Sequence, residues 1–319
     1  MEDQLNAFLD ELKSVGSTDV DLSEILLTDD ADLISINGKS LPSRSSKQAD
    51  ISLSGRMNTM SRWMLYIAIC LMTATTMCAE KNVFLTRVNF QLKEHNAFTM
   101  IPPKADKTKP IPWVWYAPTL GQGLPGQHET WMFTKLHEHG IAIAGIDVGE
   151  SYGSPTGRKL YQALYQELTS NKRFATKPVL LARSRGGLML YSWANKHPQS
   201  VGGIAGIYPV CNLTSYPGVS RAAPAFGLTP AQLQERLQEL NPIEQLEPLA
   251  KAKVPIFHIQ GDSDRVVPLE PNSKLLVQRI IAAGGSARVE VIKDQGHNLW
   301  EGWFNHEGLT NFMIEHAKP

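Results

Sequence analysis

Residues 178–198 read PVLLARSRGGLMLYSWANKHP. The apolar run Val179–Ala182 has the length of a buried strand. From Arg185 to His197 the pattern is that of a helix. Ser184 falls at the junction, between two arginines and ahead of two glycines. A strand that turns sharply into a helix exposes one side chain above a sheet, but such a turn is crowded. Small residues two positions before and after the exposed one relieve the clash. Ala182 and Gly186 occupy those positions, and Gly187 follows. The helix beginning at Arg185 also aims its free amides and the positive end of its dipole at any charge developing on a reacting group. A serine ahead of a helix is commonly just an N-cap. The stretch alone therefore leaves two readings, a solvated cap or a nucleophile.

The surroundings repeat the strand-then-helix pattern. VFLTRVNFQL (83–92) and AFTMIPP (97–103) read as a leading hairpin. PIPWVWYAP, IAIAGIDV, KPVLLA, VGGIAGIYPV, VPIFHIQG and ARVEVIKD read as short apolar strands. Between them lie helical segments. QHETWMFTKLHEHG is one, stopped by Gly140, and SPTGRKLYQALYQELTSN is another, opened by Ser154 and Pro155. Two more are predicted at 269–283 and from about Glu307 to the end. Alternation of this kind predicts a mostly parallel sheet covered by helices on both faces. Ligands of such sheets bind at the carboxyl ends of the strands. Residues 212–253 carry helical pieces but no strand, and are predicted to form a small helical lid inserted over that face.

Three polar residues stand just past three strands: Ser184 after PVLLAR, Asp264 after VPIFHIQGDSD and His297 after ARVEVIKDQGH. A serine hydroxyl needs a neighbouring base, and an imidazole titrates near neutral pH. The imidazole in turn needs a carboxylate to hold its tautomer and stabilise its cation. Asp264 could equally be a turn residue and His297 a solvated loop residue. The order Ser, Asp, His, with each at a strand end, favours a catalytic triad.

These motifs, ARSRGG, PIFHIQGDSDRVVP and DQGHNLW, resemble the α/β-hydrolase superfamily, and most closely its dienelactone-hydrolase and prolyl-oligopeptidase-like branches. The resemblance runs from about residue 82 to the end. It implies an α/β-hydrolase fold with no metal or organic cofactor. Its acid-loop pattern, Gly-x-x-Asp-x-x-Val-Pro, falls on Gly261, Asp264, Val267 and Pro268, and so singles out Asp264 over Asp262. The chain departs from the family where a His-Gly pair commonly follows the third strand; it has WYAPTLGQGLPG. By position, the oxyanion hole would take the backbone amide of Arg185 and that of Thr119 or Leu120, and the Thr119 hydroxyl could add a donor.

Other residues near strand ends are candidate rim groups. Glu150 and Tyr152 in GIDVGESYGSP are candidate substrate contacts, and a carboxylate there could bind a substrate amine or simply be solvated. Trp300 after the histidine is a candidate platform for a sugar or phenolic group, or packs the last helix. Arg183 is expected in a buried ion pair with Glu150 or Asp147, and Arg185 is expected to face a carboxylate or sugar hydroxyls. His137 and His139 do not share a helix face, so no metal site is expected there. His258, inside a strand, is expected in the core.

The rest of the sequence sets the setting. The chain has 319 residues, 42% hydrophobic and 19% charged, with zero formal net charge. That fits one large α/β domain and suggests neither nucleic acid nor an anionic surface as a partner. Three cysteines, two of them in one apolar segment, argue against a disulfide framework. Residues 1–56 hold eleven acidic against five basic residues and read as disordered or as lying upstream of the true start at Met57 or Met60. Residues 57–79 have a positive start, an apolar core from Trp63 to Met72 and a small residue at Ala79, the pattern of a secretory signal peptide. A membrane anchor through 63–79 is the alternative. Either places residues 80–319 outside the cytoplasm.

The expected function is hydrolysis of carboxylic esters on a small-molecule or saccharide-linked substrate. A peptidase of prolyl-oligopeptidase or aminopeptidase type is the alternative, with the chain short for the added domain of the former. A non-catalytic binding protein on the same scaffold is the third reading.

Overall fold

A computed structural model describes residues 86–317 except 107, 121–122 and 171–172, together with a small antiparallel ladder of Ser35–Ile36 on Lys39–Ser40. The chain divides into two compact units, Met1–Tyr66 and Ile67–Pro319. The expectations for 57–79, and those for 1–56 apart from the ladder, lie outside the described residues. Among the described residues no helix is long and apolar enough to cross a membrane.

Eight strands form one sheet: β1 Arg87–Leu92, β2 His95–Met100, β3 Trp113–Ala117, β4 Ala142–Ile146, β5 Val179–Arg183, β6 Gly203–Ile207, β7 Pro255–Gly261 and β8 Ser286–Ile292. Their spatial order is β8-β7-β6-β5-β3-β4-β2-β1. β2 runs antiparallel to both β1 and β4, and every other pairing is parallel. The order reverses around β3, so β5 is central and the carboxyl end of β5 sits at the switch in winding where ligands of open parallel sheets bind.

Side-chain alternation splits the interior into two layers. Trp113, Trp115 and Ala117 of β3, with Leu180 and Ala182 of β5, join one cluster; Val114 and Tyr116, with Val179 and Leu181, join the other. The first layer is closed by helices α2 (Pro155–Thr169) and α3 (Gly186–Ala194), the second by α1 (Thr130–Glu138) and residues near the C-terminus. α2 opens as its sequence predicts, with Pro155 in the first turn and the Ser154 hydroxyl accepting the Gly157 amide at 3.4 Å. All nine residues of α3 are buried. A helix apolar on every side is what a central position under the sheet requires. Each fully buried large side chain contributes on the order of 1.5–3 kcal/mol.

Three details differ from the sequence reading. β8 is not a continuous buried run: its exposure alternates, because it is an edge strand with one neighbour. The helix predicted from 185 is shorter, beginning at Gly186. The helix predicted at 269–283 opens with a wide π turn, Glu270–Lys274, before α8 (Leu275–Ala282) when the lid helices α4 (Val219–Ala222), α5 (Pro230–Glu235), α6 (Leu237–Leu240) and α7 (Glu247–Lys251) are numbered first. In that π turn Asn272 is fully buried and its side-chain oxygen accepts the amides of Cys211 and Asn212, at 2.9 and 3.2 Å. The widened turn thus holds the start of the insertion.

The insertion at 212–253 is helical, as expected, and has its own apolar cluster. Leu213, Ala222, Leu233 and Leu240 pack with Tyr152, Leu188, Val210 and Val267. Leu188 belongs to α3, and the other three follow β4, β6 and β7. The insertion therefore rests on the carboxyl edge of the sheet. α9 (Glu301–Phe304) and α10 (Glu307–His316) close the chain.

Candidate active site

Ser184 is the first residue past β5, and its φ is +49°. A non-glycine residue in that region costs of order 1–3 kcal/mol and persists only where its surroundings over-determine it. Three backbone bonds do so. The Ser184 amide donates to Ile207 O at 3.0 Å, and its carbonyl accepts from Val210 N at 2.8 Å and Gly187 N at 3.0 Å. The two glycines are required by close approach: a Cβ on Gly186 would lie 2.1 Å from Ala117 O, and one on Gly187 2.3 Å from Val210 O. The turn is thus wedged between the ends of β3 and β6, and the serine hydroxyl points out of it.

The hydroxyl meets His297. Ser184 Oγ lies 2.9 Å from His297 Nε2, and His297 Nδ1 lies 2.8 Å from Asp264 Oδ2. The second carboxylate oxygen, Oδ1, accepts the amides of Val266 and Val267 at 2.9 and 2.8 Å. The Asp264 side chain is fully buried. A carboxylate accepting at Nδ1 puts the ring proton there and leaves the Nε2 lone pair to face the serine hydroxyl. The acid and histidine loops are tied directly. Ser263 N donates to Gln295 O at 3.0 Å, and a Cβ on Gly261 would stand 1.9 Å from that same oxygen. Asp262, the neighbouring acid, points elsewhere, and its Oδ1 accepts the amide of Asp294 at 2.8 Å.

The remaining predicted residues divide. Arg185 caps α3 on the serine's far side, half-buried, and its Nη1 is paired with Glu150 Oε1. Tyr152, with φ +46°, sits beside the same carboxylate; burial and Glu150 together hold its phenol above the ordinary range. These three, grouped by sequence position as rim candidates, do form one cluster. Trp300 is exposed and stacks edge-on against Trp303, with ring centroids 5.5 Å apart. Trp303 is buried, and its indole N–H donates to Asn298 Oδ1 at 2.9 Å. Thr119 is buried and bridged to Asp147. Its hydroxyl packs toward Gly145 of β4 and has no hydrogen-bond partner among the described residues. Leu120 follows it, half-buried.

Arg183 is indeed in a buried ion pair, but with a different acid. Its Nη1 lies 2.5 Å from Glu129 Oε1, and neither Glu150 nor Asp147 is the partner. Arg183 ends β5 on the side of Val179 and Leu181 and so enters their layer, while the turn at Ser184 sends Arg185 elsewhere. There Tyr116 donates to Glu129 Oε1 at 2.7 Å, Gly126 N donates to Glu129 Oε2 at 2.9 Å, and the Phe304 ring lies 4.9 Å from the guanidinium. Burial works against the charge on Arg183. Tyr116, Tyr208 and Glu129 more than offset it, so its pKa lies above the ordinary value. His258 is in the core, as expected, between Tyr191 Oη at 2.7 Å and Ser273 Oγ at 2.9 Å, and burial lowers its pKa to about 3. His137 contacts Met100 O and His139 contacts Lys135 O. Among the described residues no group of His, Cys, Asp and Glu could hold a metal ion.

One residue of the site is not evident from the sequence pattern, which places Tyr208 inside a strand run. It is instead the first residue past β6, with φ +37°, and its ring lies 4.4 Å from that of His297. Its position just beyond a strand is the available signal.

Sheet order, inserted helices and the Ser–His–Asp arrangement at the strand ends define an α/β-hydrolase with a serine-hydrolase site. The prolyl oligopeptidase family profile matches residues 159–313, just under half the chain and inclusive of Ser184, Asp264 and His297. No curated protein matches the chain by sequence. Many solved structures match it by fold. A puromycin-hydrolyzing peptidase of Mycobacterium tuberculosis aligns with TM-score 0.58 and 16% identity over 73% of this chain. Dipeptidyl peptidase 4 of Porphyromonas gingivalis aligns with TM-score 0.59 and 15% identity, also over 73%. This chain spans only 40% and 35% of those two. An S-formylglutathione hydrolase of Agrobacterium tumefaciens aligns with TM-score 0.58 and 15% identity over 72% of this chain and 93% of its own. At such identities the likeness is one of fold.

Proposed function

We propose that the protein is a serine hydrolase that cleaves carboxylic esters through an acyl-enzyme on Ser184. The observation that carries the reading is the unbroken chain Ser184 Oγ, His297 Nε2, His297 Nδ1, Asp264 Oδ2, with links of 2.9 and 2.8 Å. In the first half-reaction His297 Nε2 takes the hydroxyl proton as Ser184 Oγ bonds to the ester carbonyl carbon. Asp264 stabilises the resulting imidazolium. The oxyanion is held by the backbone amide of Arg185, at the start of α3, and that of Thr119 or Leu120. Collapse breaks the carbon–oxygen bond to the alcohol, which leaves with the proton from Nε2. Water then repeats the sequence on the acyl-enzyme, releasing the acid and restoring Ser184.

The choice of ester over peptide is supported by the rim. An enzyme that reads a peptide amino terminus needs a free carboxylate, and Glu150 is already paired with Arg185. The hydrolase from Agrobacterium, whose named substrate is a thioester, is matched over nearly its whole length. The family profile favours the second reading, a peptidase.

Labelling with a fluorophosphonate probe tests the chemistry. The full chain should label at one serine, and Ser184→Ala and His297→Ala should abolish or nearly abolish the signal. A folded parent that does not label overturns the hydrolase reading. The same preparation, offered p-nitrophenyl acyl esters and aminoacyl p-nitroanilides, separates the two substrate classes. Faster turnover of the anilides would replace the ester reading with the peptidase one.

A further inference from the structure

Tyr208 touches the histidine loop twice, from two directions. Its ring packs against the imidazole of His297, centroids 4.4 Å apart and planes inclined by 55°. Its hydroxyl donates to the carbonyl of Asn298, the next residue, at 3.2 Å. On its other side the ring meets Trp303 edge-on at 5.4 Å. The side chain is 2% exposed, so these contacts are fixed by packing rather than by solvent.

The guanidinium of Arg183 acts on this phenol by its charge, while its own hydrogen bonds go to Glu129 Oε1 at 2.5 Å and Tyr116 Oη at 3.4 Å. Arg183 is anchored by Glu129, which is fully buried and also takes bonds from Tyr116 and Gly126. The charged pair stands behind Tyr208, whose hydroxyl bonds the backbone beside His297.

The backbone at Tyr208 is bent for the purpose. Its φ of +37° is one of few positive values at a bulky residue, and its amide is bonded to Ile259 O at 2.8 Å. The unusual φ persists only because its neighbours over-determine it, and such outliers cluster at sites of function.

We propose that Tyr208 is a positioning residue for His297; this rests on the hydrolase reading above. Asp264 fixes only the Nδ1 edge of the imidazole. Once Ser184 Oγ has bonded to substrate, that one hydrogen bond leaves the ring free to swing about its Nδ1 edge, and the loop of 293–299 has exposed stretches that offer little resistance. The Tyr208 ring blocks the swing on one face, and its hydroxyl pins the following peptide.

The test measures the inactivation rate and half-saturation of the fluorophosphonate reaction for the full chain, Tyr208→Phe, Tyr208→Leu, His297→Ala and the double variants with His297→Ala. Tyr208→Phe keeps the ring and loses one hydrogen bond, and should slow maximal inactivation about fivefold. Tyr208→Leu loses both contacts and should slow it roughly 10- to 100-fold, the scale of a misplaced catalytic group. Half-saturation should stay within about twofold in both, with the phenylalanine rescuing most of what the leucine loses. In the His297→Ala background both substitutions should leave the residual rate unchanged, because they act through the imidazole. Thermal melting identifies any variant that is merely unfolded; Tyr208→Phe alone then decides. Equal rates for parent and Tyr208→Phe, or the same fractional loss with His297 absent, would overturn the proposal while parent labelling keeps the hydrolase reading intact. A parent that fails to label overturns both.

Discussion

Two Arg–Glu pairs lie on either side of Ser184, and they have little in common beyond their chemistry. Arg183–Glu129 is inside the molecule, with side chains 11% and 0% exposed; Arg185–Glu150 is at the mouth, at 32% and 43%. The arginines are two residues apart in the chain. The buried pair is tied further to Tyr116 and Gly126. The outer pair is wet, and its attraction is screened by water and salt. One pair therefore belongs to the interior and the other to the surface beside Ser184. The strand-to-helix turn makes the difference: it reverses the side to which successive side chains point.

Breaking the inner pair from one end should have the largest effect. Glu129→Ala leaves a buried, charged guanidinium without its carboxylate, and is expected to lower unfolding free energy by about 3–5 kcal/mol. A urea titration reads this as a lower midpoint at unchanged slope. Removing both charges with Glu129→Leu and Arg183→Met should recover much of the loss, since a desolvated pair contributes little net stability. If the double variant is as unstable as the sum of the singles, the two residues do not act as a unit.

His258 supplies a sharper control, a buried titratable group with no counter-charge. Burial lowers its pKa from 6.5 to about 3. The unfolded chain therefore binds a proton below about pH 6.5 that the folded protein refuses until about pH 3. The stability that neutral His258 contributes is complete above pH 6.5 and is lost as pH falls through that window, by up to about 1.4 kcal/mol per pH unit. Between pH 7 and pH 5 the urea midpoint of the parent should fall further than that of His258→Gln, because only the parent carries this titration. Parallel pH dependences would show that His258 is accessible to protons in the folded state.

The outer pair should matter least to stability and more to substrate. Arg185→Ala is expected to change unfolding free energy by less than about 1 kcal/mol, with the difference smaller still in high salt. Its effect should appear instead in KM for whichever ester series is turned over, because the side chain stands beside the nucleophile while the backbone amide stays in place. A stability loss as large as that of Glu129→Ala would erase the distinction between the two pairs.

Much of the site was legible because it is built from local rules. Gly186 and Gly187 stand where a sharp turn meets neighbouring backbone, Gly261 stands where the histidine loop crosses the acid loop, and each polar residue of the triad directly follows an apolar strand. Tyr208 was not legible. A tyrosine after an apolar run looks like one more buried ring, and only the positive φ aims it at His297. Glu129 was equally hidden in a short turn ahead of α1, where an acid reads as solvated. β8 looked continuous in sequence because its exposed and covered positions are both partly apolar.

By itself the sequence determined the alternation of strand and helix, the helical insertion, and the three strand ends that carry Ser184, Asp264 and His297. Those follow from periodicity and turn chemistry, which act over a few residues. Only the tertiary structure decided which acid meets Arg183, what Arg185 and Glu150 do to each other, and what stands behind the histidine. Those pairings join residues up to 90 positions apart, as between Tyr208 and Asn298. They depend on strand order, on the hand of each crossover and on single backbone angles at the strand ends, none of which leaves a periodic mark in the chain.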